Sequence, residues 1–388
     1  MKILFVINNY YIPGNGISAS ARRTVKALRE AGHEVRLLSG CKPTDSPQPE
    51  YPLKEFHFPI FQPIISSQGF CYASSDKRIM EEAIAWADVV HLEEMFVLQW
   101  KAIRIANRMG KAITATFHMY PENILASLGM GKWKWANRTL LRAWRKHIYN
   151  DCIQVQCPTE NVLDRLRRYH FKPKLSVISN GILPDACIRP QTPPDNYLDT
   201  ERPLDVICIS RLSKEKDQTT LLEALRHSQY ARRIRLTLAG NGPEAKRYRR
   251  ISDRLLKDGI IRYPVEFVFL DRQGLRELAA RADLAIHCAH IEVEGLSIME
   301  AMQQGAVPII AEGRYSGTSL FALDRRSIFP VQNPEALAHR IDYWLSHPAE
   351  RWEMGRKYVR HMEQFDIRKS VEKLLVMFQK AIDEKKGC

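Results

Sequence analysis

The stretch His290-Ile-Glu-Val-Glu-Gly-Leu-Ser-Ile-Met-Glu-Ala-Met-Gln-Gln-Gly305 carries the strongest fold signal in the chain. It follows an apolar run at 284–288, which predicts a buried strand. A glycine turn at Gly295 then leads into an apolar pattern typical of a helix. A strand, a tight turn and a helix in this order form the repeating unit of a parallel α/β sheet.

The same stretch brings together groups that suit a bound sugar nucleotide. The carboxylates of Glu292 and Glu300 stand eight positions apart, and each can accept hydrogen bonds from a pair of hydroxyls. Gly295 permits a close backbone approach, and the amides of Leu296 and Ser297 at the helix start can bind a phosphate or a hydroxyl. An alternative is a capping box in which Ser297 and Glu300 only satisfy the helix start.

Strand and helix signals alternate along the whole chain, in two series separated by the proline-rich linker at 184–194. Such alternation predicts parallel sheets covered on both faces, which bind ligands at the carboxyl ends of their strands. The fold class is α/β, with two facing Rossmann-like domains at 1–183 and 184–365, a cleft between them and a last helix at 366–388. The predicted strands are 3–7, 34–38, 89–92, 112–116, 153–157 and 175–178, then 204–209, 234–239, 265–270, 284–288 and 307–310.

Composition narrows the class of protein. With 388 residues and 45% apolar content the chain can bury two cores. No run approaches the roughly 20 apolar residues of a membrane span, and the opening residues 1–8 predict a buried strand rather than a signal peptide. Eight cysteines without a Cys-x-x-Cys pair favour reduced thiols in a cytoplasmic protein. The one cluster with metal-like spacing, His287, Cys288 and His290, is better explained by a buried strand.

A second motif, Ser210-Arg-Leu-Ser-Lys-Glu-Lys216, follows a predicted strand and carries Arg211 and Lys216. Two fixed cations at a strand end can stabilise the negative charge that develops on a leaving diphosphate. No Asp-x-Asp metal motif occurs in the sequence, so we expect neither a metal nor another cofactor. The alternative interpretation is a solvated run of charges.

Glycine turns follow two further predicted strands. Gly240 and Gly242 lie in Gly240-Asn-Gly-Pro-Glu244, and Gly14 and Gly16 lie in Pro13-Gly-Asn-Gly-Ile-Ser18 before a predicted helix. The second turn lets the backbone approach a phosphate. It also fits a dinucleotide fingerprint, but the next strand ends Arg36-Leu-Leu-Ser-Gly40 without the acid that this fingerprint requires.

These motifs resemble those of the retaining glycosyltransferases of family 4, which have the GT-B fold and a Glu-x7-Glu signature. The resemblance implies that Glu300 holds the donor ribose and Glu292 the sugar hydroxyls, with Arg211 and Lys216 on the diphosphate. It also implies that His118, in Ala115-Thr-Phe-His-Met119, touches the donor sugar and orients the reacting centre. The remaining implied donor contacts are Gly14, Gly16, Gly240, Gly242, Gly295, Leu296 and Ser297. A last helix that crosses back to the first domain is implied as well.

The sequence departs from the family pattern at three places. Glu294 replaces an aromatic residue, Gln303-Gln304 follows the signature helix, and Asp217 stands where relatives carry glycine. The first two departures leave the identity of the donor sugar open.

The segment 131–148 predicts a basic amphipathic helix. It contains six basic residues, no acid and three tryptophans. Such a helix can lie on an anionic bilayer, which would make the acceptor a lipid; the alternative is that its apolar side packs on the sheet. The candidate membrane residues are Trp133, Trp135, Arg138, Arg142, Trp144 and Arg145. The apolar stretch 56–66 could line an acceptor channel or belong to the core.

The formal charge is +14, and residues 1–183 hold 25 Lys and Arg against 15 Asp and Glu. Such a field attracts nucleic acid, anionic lipid or phosphorylated substrates without choosing among them.

We expect a hexosyltransferase that uses a nucleotide sugar, UDP-hexose, as its donor. Its expected acceptor is a glycan or glycolipid at the cytoplasmic membrane face, and we expect no nucleic-acid partner. The rival hypotheses are a dinucleotide-dependent oxidoreductase, a sugar-nucleotide epimerase of the same fold and a non-catalytic basic binding protein.

Overall fold

The computed structural model describes residues 1–8, 10–12, 15–40, 48–57, 70–127, 133–199 and 201–387. The chain forms two compact units. The first unit contains Met1–Leu183 and Phe365–Cys388, and the second contains Pro184–Gln364.

The first unit is built on a parallel sheet. Its strands are β1 (Lys2–Ile7), β2 (Glu34–Ser39), β3 (Tyr51–Pro52), β4 (Glu55–Phe56), β5 (Tyr72–Ala73), β6 (Val89–Leu92), β7 (Ala112–Thr116), β8 (Gln154–Cys157) and β9 (Lys174–Val177). Seven of them form the sheet in the order β3-β2-β1-β6-β7-β8-β9, while β4 and β5 form a separate antiparallel pair. All residues of β6 and β7 are buried, because a parallel sheet is covered on both faces.

Helices cover this sheet, and the C-terminal helix belongs to the first unit. The helices are α1 (Gly16–Glu30), α2 (Lys77–Trp86), α3 (Val97–Arg108), α4 (Pro121–Ser127), α5 (Lys134–His147), α6 (Glu160–Arg168) and, at the end of the chain, Ile367–Lys386. The last one is fastened where the amide of Ile367 donates to the Ile182 carbonyl at 2.9 Å. Its Phe378 ring packs against His91 of β6 with centroids 5.1 Å apart.

The second unit has a six-stranded parallel sheet. Its strands are β10 (Leu204–Ile209), β11 (Ile234–Ala239), β12 (Glu266–Val268), β13 (Leu284–His287), β14 (Ile291–Glu292), β15 (Val307–Glu312), β16 (Tyr315–Ser316) and β17 (Ile328–Pro330). The sheet order is β12-β11-β10-β13-β15-β17, and β14 and β16 form a short parallel pair beside it. The helices are α7 (Gln218–Ala224), α8 (Ala245–Lys257), α9 (Arg272–Arg281), α10 (Leu296–Gln303), α11 (Pro334–Ser346) and α12 (Pro348–Met362), so that Ile367–Lys386 is α13.

The proline-rich linker is fastened to the second unit by polar contacts. The guanidinium of Arg189 donates to the carbonyls of Ala280, Ala282 and Gly305, the first at 2.8 Å from Nε. The buried side chain of Gln304 accepts the Ile188 amide at 3.0 Å. Gln304, one of the departures from the family pattern, therefore has a structural role in holding the linker.

One expectation about the cysteines is wrong. Cys71 is disulfide-bonded, whereas the sequence favoured reduced thiols. The thiols of Cys152, Cys157, Cys187, Cys208 and Cys288 are free. All of these except Cys187 are buried, and two of them, Cys157 and Cys208, lie in strands β8 and β10.

Candidate functional site

The signature stretch lies at the carboxyl ends of two neighbouring strands in the second unit, β10 and β13. The hydroxyl of Ser297 donates to the carbonyl of Ile209, the last residue of β10, at 2.7 Å. Gly295 precedes α10 in a left-handed conformation with φ 86°. A Cβ there would come within 2.8 Å of the Thr318 hydroxyl oxygen, so only glycine fits this position without displacement.

The capping-box alternative is wrong. The residue that caps α10 is Gly295, which has no side chain, and Ser297 lies within the first helical turn with its hydroxyl bonded to Ile209. Glu300 therefore does not sit three residues after a capping serine. Glu300 occupies the second turn of α10 and is partly buried.

Glu292 lies beside two basic side chains. Lys216 Nζ donates to Glu292 Oε2, and His287 Nε2 lies 3.6 Å from the same oxygen. Burial favours a raised pKa for Glu292, but the Lys216 ammonium outweighs burial and holds the pKa below its usual value. Burial lowers the pKa of His287 to about 4, so this imidazole is neutral at pH 7. The structure thus brings together two predicted donor ligands, Glu292 and Lys216, and His287, which the sequence analysis noted only for its metal-like spacing.

Arg211 is also paired with a carboxylate. Its guanidinium donates to Glu215 Oε1, which accepts the Ser213 hydroxyl at 2.7 Å as well. The backbone carbonyl of Glu215 accepts the His290 amide at 3.1 Å. The turn that carries both predicted diphosphate ligands is therefore fixed directly to the loop before the signature helix.

Asp217 adopts the left-handed conformation, with φ 51°. This is the position at which relatives carry glycine, a residue that adopts positive φ without steric cost. Aspartate tolerates this conformation better than most residues, and its Oδ2 accepts the Thr220 hydroxyl at 2.6 Å at the start of α7. The departure is thus accommodated by the same backbone.

Gly240 and Gly242 pack against the backbone that carries Arg211. A Cβ on Gly240 would overlap the Ser210 carbonyl, and one on Gly242 would overlap the Leu212 carbonyl. The Leu212 amide donates to the Asn241 carbonyl at 2.9 Å between them. These glycines are required by the close approach of two strand ends, whether or not a nucleotide binds beside them.

In the first unit, His118 follows the end of β7 and bonds to a buried acid. Its Nε2 lies 2.5 Å from Glu93 Oε2, at the end of the neighbouring strand β6. Burial alone favours a raised pKa for Glu93, but His118 and then His91 outweigh it and lower the pKa to about 2. Sequence reasoning missed Glu93, although a carboxylate directly after the predicted strand 89–92 was a usable signal.

A second buried acid, Glu94, organises the start of the same sheet edge. It accepts the Asn8 backbone amide at 2.7 Å, the Asn8 side-chain amide at 2.5 Å and the Gln99 side-chain amide at 3.2 Å. Asn8 Oδ1 in turn accepts the Ala73 amide at 2.9 Å. This network ties the ends of β1, β5 and β6 together.

The glycine loop after β1 is described only in part. Gly14 lies outside the described residues. Gly16 is the first residue of α1, and a Cβ there would meet nothing within 4 Å. The side chain of Asn15 caps the helix by accepting the amides of Ile17 at 3.0 Å and Ser18 at 3.2 Å. An anion at this helix start would therefore compete with Asn15 for those amides.

The candidate membrane residues divide between the two sides of α5. Trp133 and Trp135 are 49% and 68% exposed, and their rings stack with centroids 5.9 Å apart. Arg138 and Arg142 are exposed too. Trp144 is only 6% exposed because it packs in the core, and Arg145 donates to the Tyr169 carbonyl at 2.6 Å. The prediction of a membrane contact is therefore wrong for Trp144, and it stays a prediction for the half-exposed Arg145.

Among the described residues there is no group of three His, Cys, Asp or Glu side chains that could hold a metal ion. No described helix is both long enough and apolar enough to cross a bilayer.

Sequence and structure comparisons identify the family. Residues 14–186 match the Glycosyltransferase Family 4 sequence model, and residues 194–362 match that of the glycosyl transferases group 1. An alpha-monoglucosyldiacylglycerol synthase of Streptococcus pneumoniae is 24% identical over 81% of this chain and 71% of its own length. A GDP-mannose-dependent alpha-mannosyltransferase of Mycolicibacterium smegmatis is 23% identical over 88% of this chain and 89% of its own.

The fold of both units has known counterparts. The crystal structure of Anabaena HepE, solved in complex with UDP and glucose, is similar with a TM-score of 0.71 and 15% identity, over 98% of this chain and 100% of HepE. Both units are parallel-sheet α/β domains of the GT-B type, and the two family matches together extend over nearly the whole chain. The chain belongs to the family 4 glycosyltransferases, which have the GT-B fold.

Proposed function

We propose that the protein transfers a hexose with retention from UDP-hexose to a hydroxyl of a membrane lipid or lipid-linked glycan. The observation that carries the proposal is the placement of Lys216, Arg211 and Glu292 beside the start of α10, at the strand ends of the second unit. Open α/β sheets bind ligands at this edge. The predicted donor contacts on both sides of Gly295 belong to the same edge.

The proposed roles follow from the charge that each group carries. Lys216 and Arg211 would bind the diphosphate, and the amides at the start of α10 would add the positive end of a helix dipole. Glu292 would accept hydrogen bonds from sugar hydroxyls, and Glu300 from the ribose. His118 would contact the sugar, as the family resemblance implies. No step in this scheme uses a metal or another cofactor; the nucleotide sugar is a substrate.

Retention is proposed to occur on one face of the sugar. The bond between the anomeric carbon and the phosphate oxygen breaks, a bond to the acceptor oxygen forms on the same face, and the acceptor proton passes to the departing phosphate. A double displacement would need a carboxylate nucleophile beside the anomeric carbon, and neither Glu292 nor Glu300 is proposed for that role. The cations then stabilise the charge on the leaving group.

A lipid acceptor is supported by two observations. The Streptococcus pneumoniae relative is named for a glucosyldiacylglycerol product. In this chain, Trp133 and Trp135 project from a helix end that also carries the exposed Arg138 and Arg142. Tryptophan beside basic groups favours the interface of an anionic bilayer.

The proposal is tested by incubating the protein with labelled UDP-hexoses, GDP-mannose and lipid extracts, with and without EDTA. We expect label in the lipid fraction from a UDP-hexose, an axial product linkage when the donor linkage is axial, and no effect of EDTA. Isomerised donor sugar in the absence of acceptor would favour the epimerase. Reduction of a nicotinamide cofactor would favour the oxidoreductase, and vesicle binding without any turnover would favour a non-catalytic protein.

Lys216→Ala tests the site itself. Removing a cation that acts on the leaving diphosphate should lower kcat/KM by about 10²–10³-fold, with most of the loss in kcat. Lys214 is the matched control, since it lies in the same turn and is exposed. Lys214→Ala should keep the wild-type rate. An unchanged rate for Lys216→Ala would remove Lys216 from the mechanism.

A further inference from the structure

The contact between His118 and Glu93 fixes one edge of the imidazole. The Nε2 atom lies 2.5 Å from Glu93 Oε2, and the side chains of His118 and Glu93 are 5% and 3% exposed. Because the carboxylate can only accept, Nε2 carries a proton and donates it to this bond. Among the described residues, none makes a hydrogen bond to Nδ1 of His118.

Glu93 is itself held in place from the opposite side. Its Oε1 lies 3.3 Å from Nε2 of His91, a buried residue of the same strand. His91 is fixed by the hydroxyls of Thr114 at 2.9 Å and Thr116 at 3.0 Å, both on the neighbouring strand β7.

The fixed contacts continue across the sheet. The Thr116 hydroxyl donates to Gln156 Oε1 at 2.7 Å, and Gln156 Nε2 donates to the Ile178 carbonyl at 2.9 Å. The chain of hydrogen bonds thus runs from β6 through β7 and β8 to the end of β9. A carboxylate anchored in this way has little freedom to rotate, so it can fix the ring to which it bonds.

We infer that Glu93 is a positioning residue for His118: it holds the imidazole in the Nε2–H form and leaves Nδ1 as the atom that meets the donor sugar. This inference rests on the proposed function, which assigns the sugar contact to His118. An unprotonated Nδ1 can only accept, so the ring would accept a hydrogen bond from a sugar hydroxyl rather than donate one. A carboxylate that fixes a histidine tautomer is a recurrent arrangement in enzyme sites.

The competing explanation is an ion pair that only stabilises the fold. The same unit supplies a matched example in Glu122, whose buried carboxylate accepts two hydrogen bonds from Arg165 Nη2 at 2.7 and 2.9 Å. Arginine has no tautomer to select. Loss of the Glu122 charge should therefore affect stability without affecting the state of His118.

The first test measures the tautomer directly, without requiring turnover. Long-range nitrogen–proton NMR spectra of the histidine-labelled full chain are recorded for the wild type, Glu93→Gln and Glu122→Gln, and His118→Ala assigns the resonance. We expect an Nε2–H ring in the wild type and in Glu122→Gln, and a mixture of tautomers in Glu93→Gln. A proton on Nδ1 in the wild type, in either an Nδ1–H ring or an imidazolium, would overturn the inference, even if the protein is an active glycosyltransferase.

The second test is a double-mutant cycle on kcat. If Glu93 acts through His118, Glu93→Gln should lower kcat about 10- to 100-fold in the wild type and have almost no further effect in His118→Ala. Equal losses in both backgrounds would contradict a positioning role. If His118→Ala keeps the wild-type kcat, the proposed contact between His118 and the sugar is wrong. The NMR result then still shows whether Glu93 fixes the tautomer of His118.

Discussion

At the scale of single residues, the cations of the second unit are already paired with acids. Lys216 bonds to Glu292, and Arg211 bonds to Glu215. These acids hold the cations near the strand ends, where a diphosphate is proposed to bind. A bound diphosphate would therefore share or replace an existing partner. The pairing of Lys216 with Glu292 links the proposed phosphate contact to the proposed sugar contact.

His287, beside Glu292, should make stability depend on pH. Its folded pKa is lowered from 6.5 to about 4, chiefly by burial. Below pH 6.5 the unfolded chain binds a proton that the folded chain refuses, so stability is complete above that value and falls as the pH approaches 4. The full effect is on the order of 3 kcal/mol, since each pKa unit corresponds to about 1.4 kcal/mol.

The variant His287→Gln should lose this component. Denaturant unfolding at pH 7.5 and pH 4.5 should show a stability difference about 2–3 kcal/mol smaller in the variant than in the wild type. His339 provides a control, because it is exposed on α11 of the same unit. The explanation fails if His287→Gln and His339→Gln show the same dependence on pH.

Sequence could predict the residues that follow buried strands but not their partners. Lys216 and Glu292 were found because each lies in a polar stretch after an apolar run, and β10 and β13 prove to be neighbours. Glu93 and His118 stand 25 residues apart, and only the register of β6 beside β7 brings them together. The importance of Glu93 depends on that pairing, which no local pattern contains.

At the scale of elements, apolar runs predicted the central strands well and amphipathic patterns predicted contacts poorly. Every predicted strand is present, because strands buried on both faces are mostly apolar, although β6 and β8 also bury the hydrogen-bonded side chains of His91 and Gln156. The short strands were missed, since two or three residues give little pattern; these are β3, β4, β5, β14, β16 and β17. For α5, periodicity indicated two faces but not that Trp133 precedes the helix while Trp144 enters the core.

The turn between β11 and α8 should tolerate no side chain at Gly242. In Gly242→Ala the Cβ would overlap the Leu212 carbonyl, and backbone cannot move aside as a flexible side chain can. We expect a loss of about 1–3 kcal/mol in the free energy of unfolding, measured by denaturant titration. Gly16→Ala is the steric control, because its Cβ would meet nothing within 4 Å. Equal stability of Gly242→Ala and the wild type would show that the two strand ends can separate.

At the scale of the whole molecule, charge is concentrated in one half of the sequence. Residues 1–183 contribute a net +10, from 25 basic and 15 acidic residues, of the formal +14 for the chain. A field of this kind favours association with anionic surfaces, and salt weakens it. The proposal of a lipid acceptor requires that part of this charge be placed where it meets the membrane.

The exposed end of α5 provides the corresponding test. Each basic group near an anionic surface contributes about 1 kcal/mol, so Arg138→Ala with Arg142→Ala should weaken binding to phosphatidylserine-containing vesicles by about 30-fold. Trp133→Ala with Trp135→Ala should weaken binding by the same factor at low and at high salt, because the contribution of the two rings is apolar burial.

The control is Arg356→Ala with Lys357→Ala, which removes the same charge from exposed positions on α12. Binding is measured by vesicle sedimentation at low and high salt. If the two double arginine and lysine variants lose the same amount of vesicle binding, net charge alone attracts the protein. In that case α5 has no special contact with the bilayer.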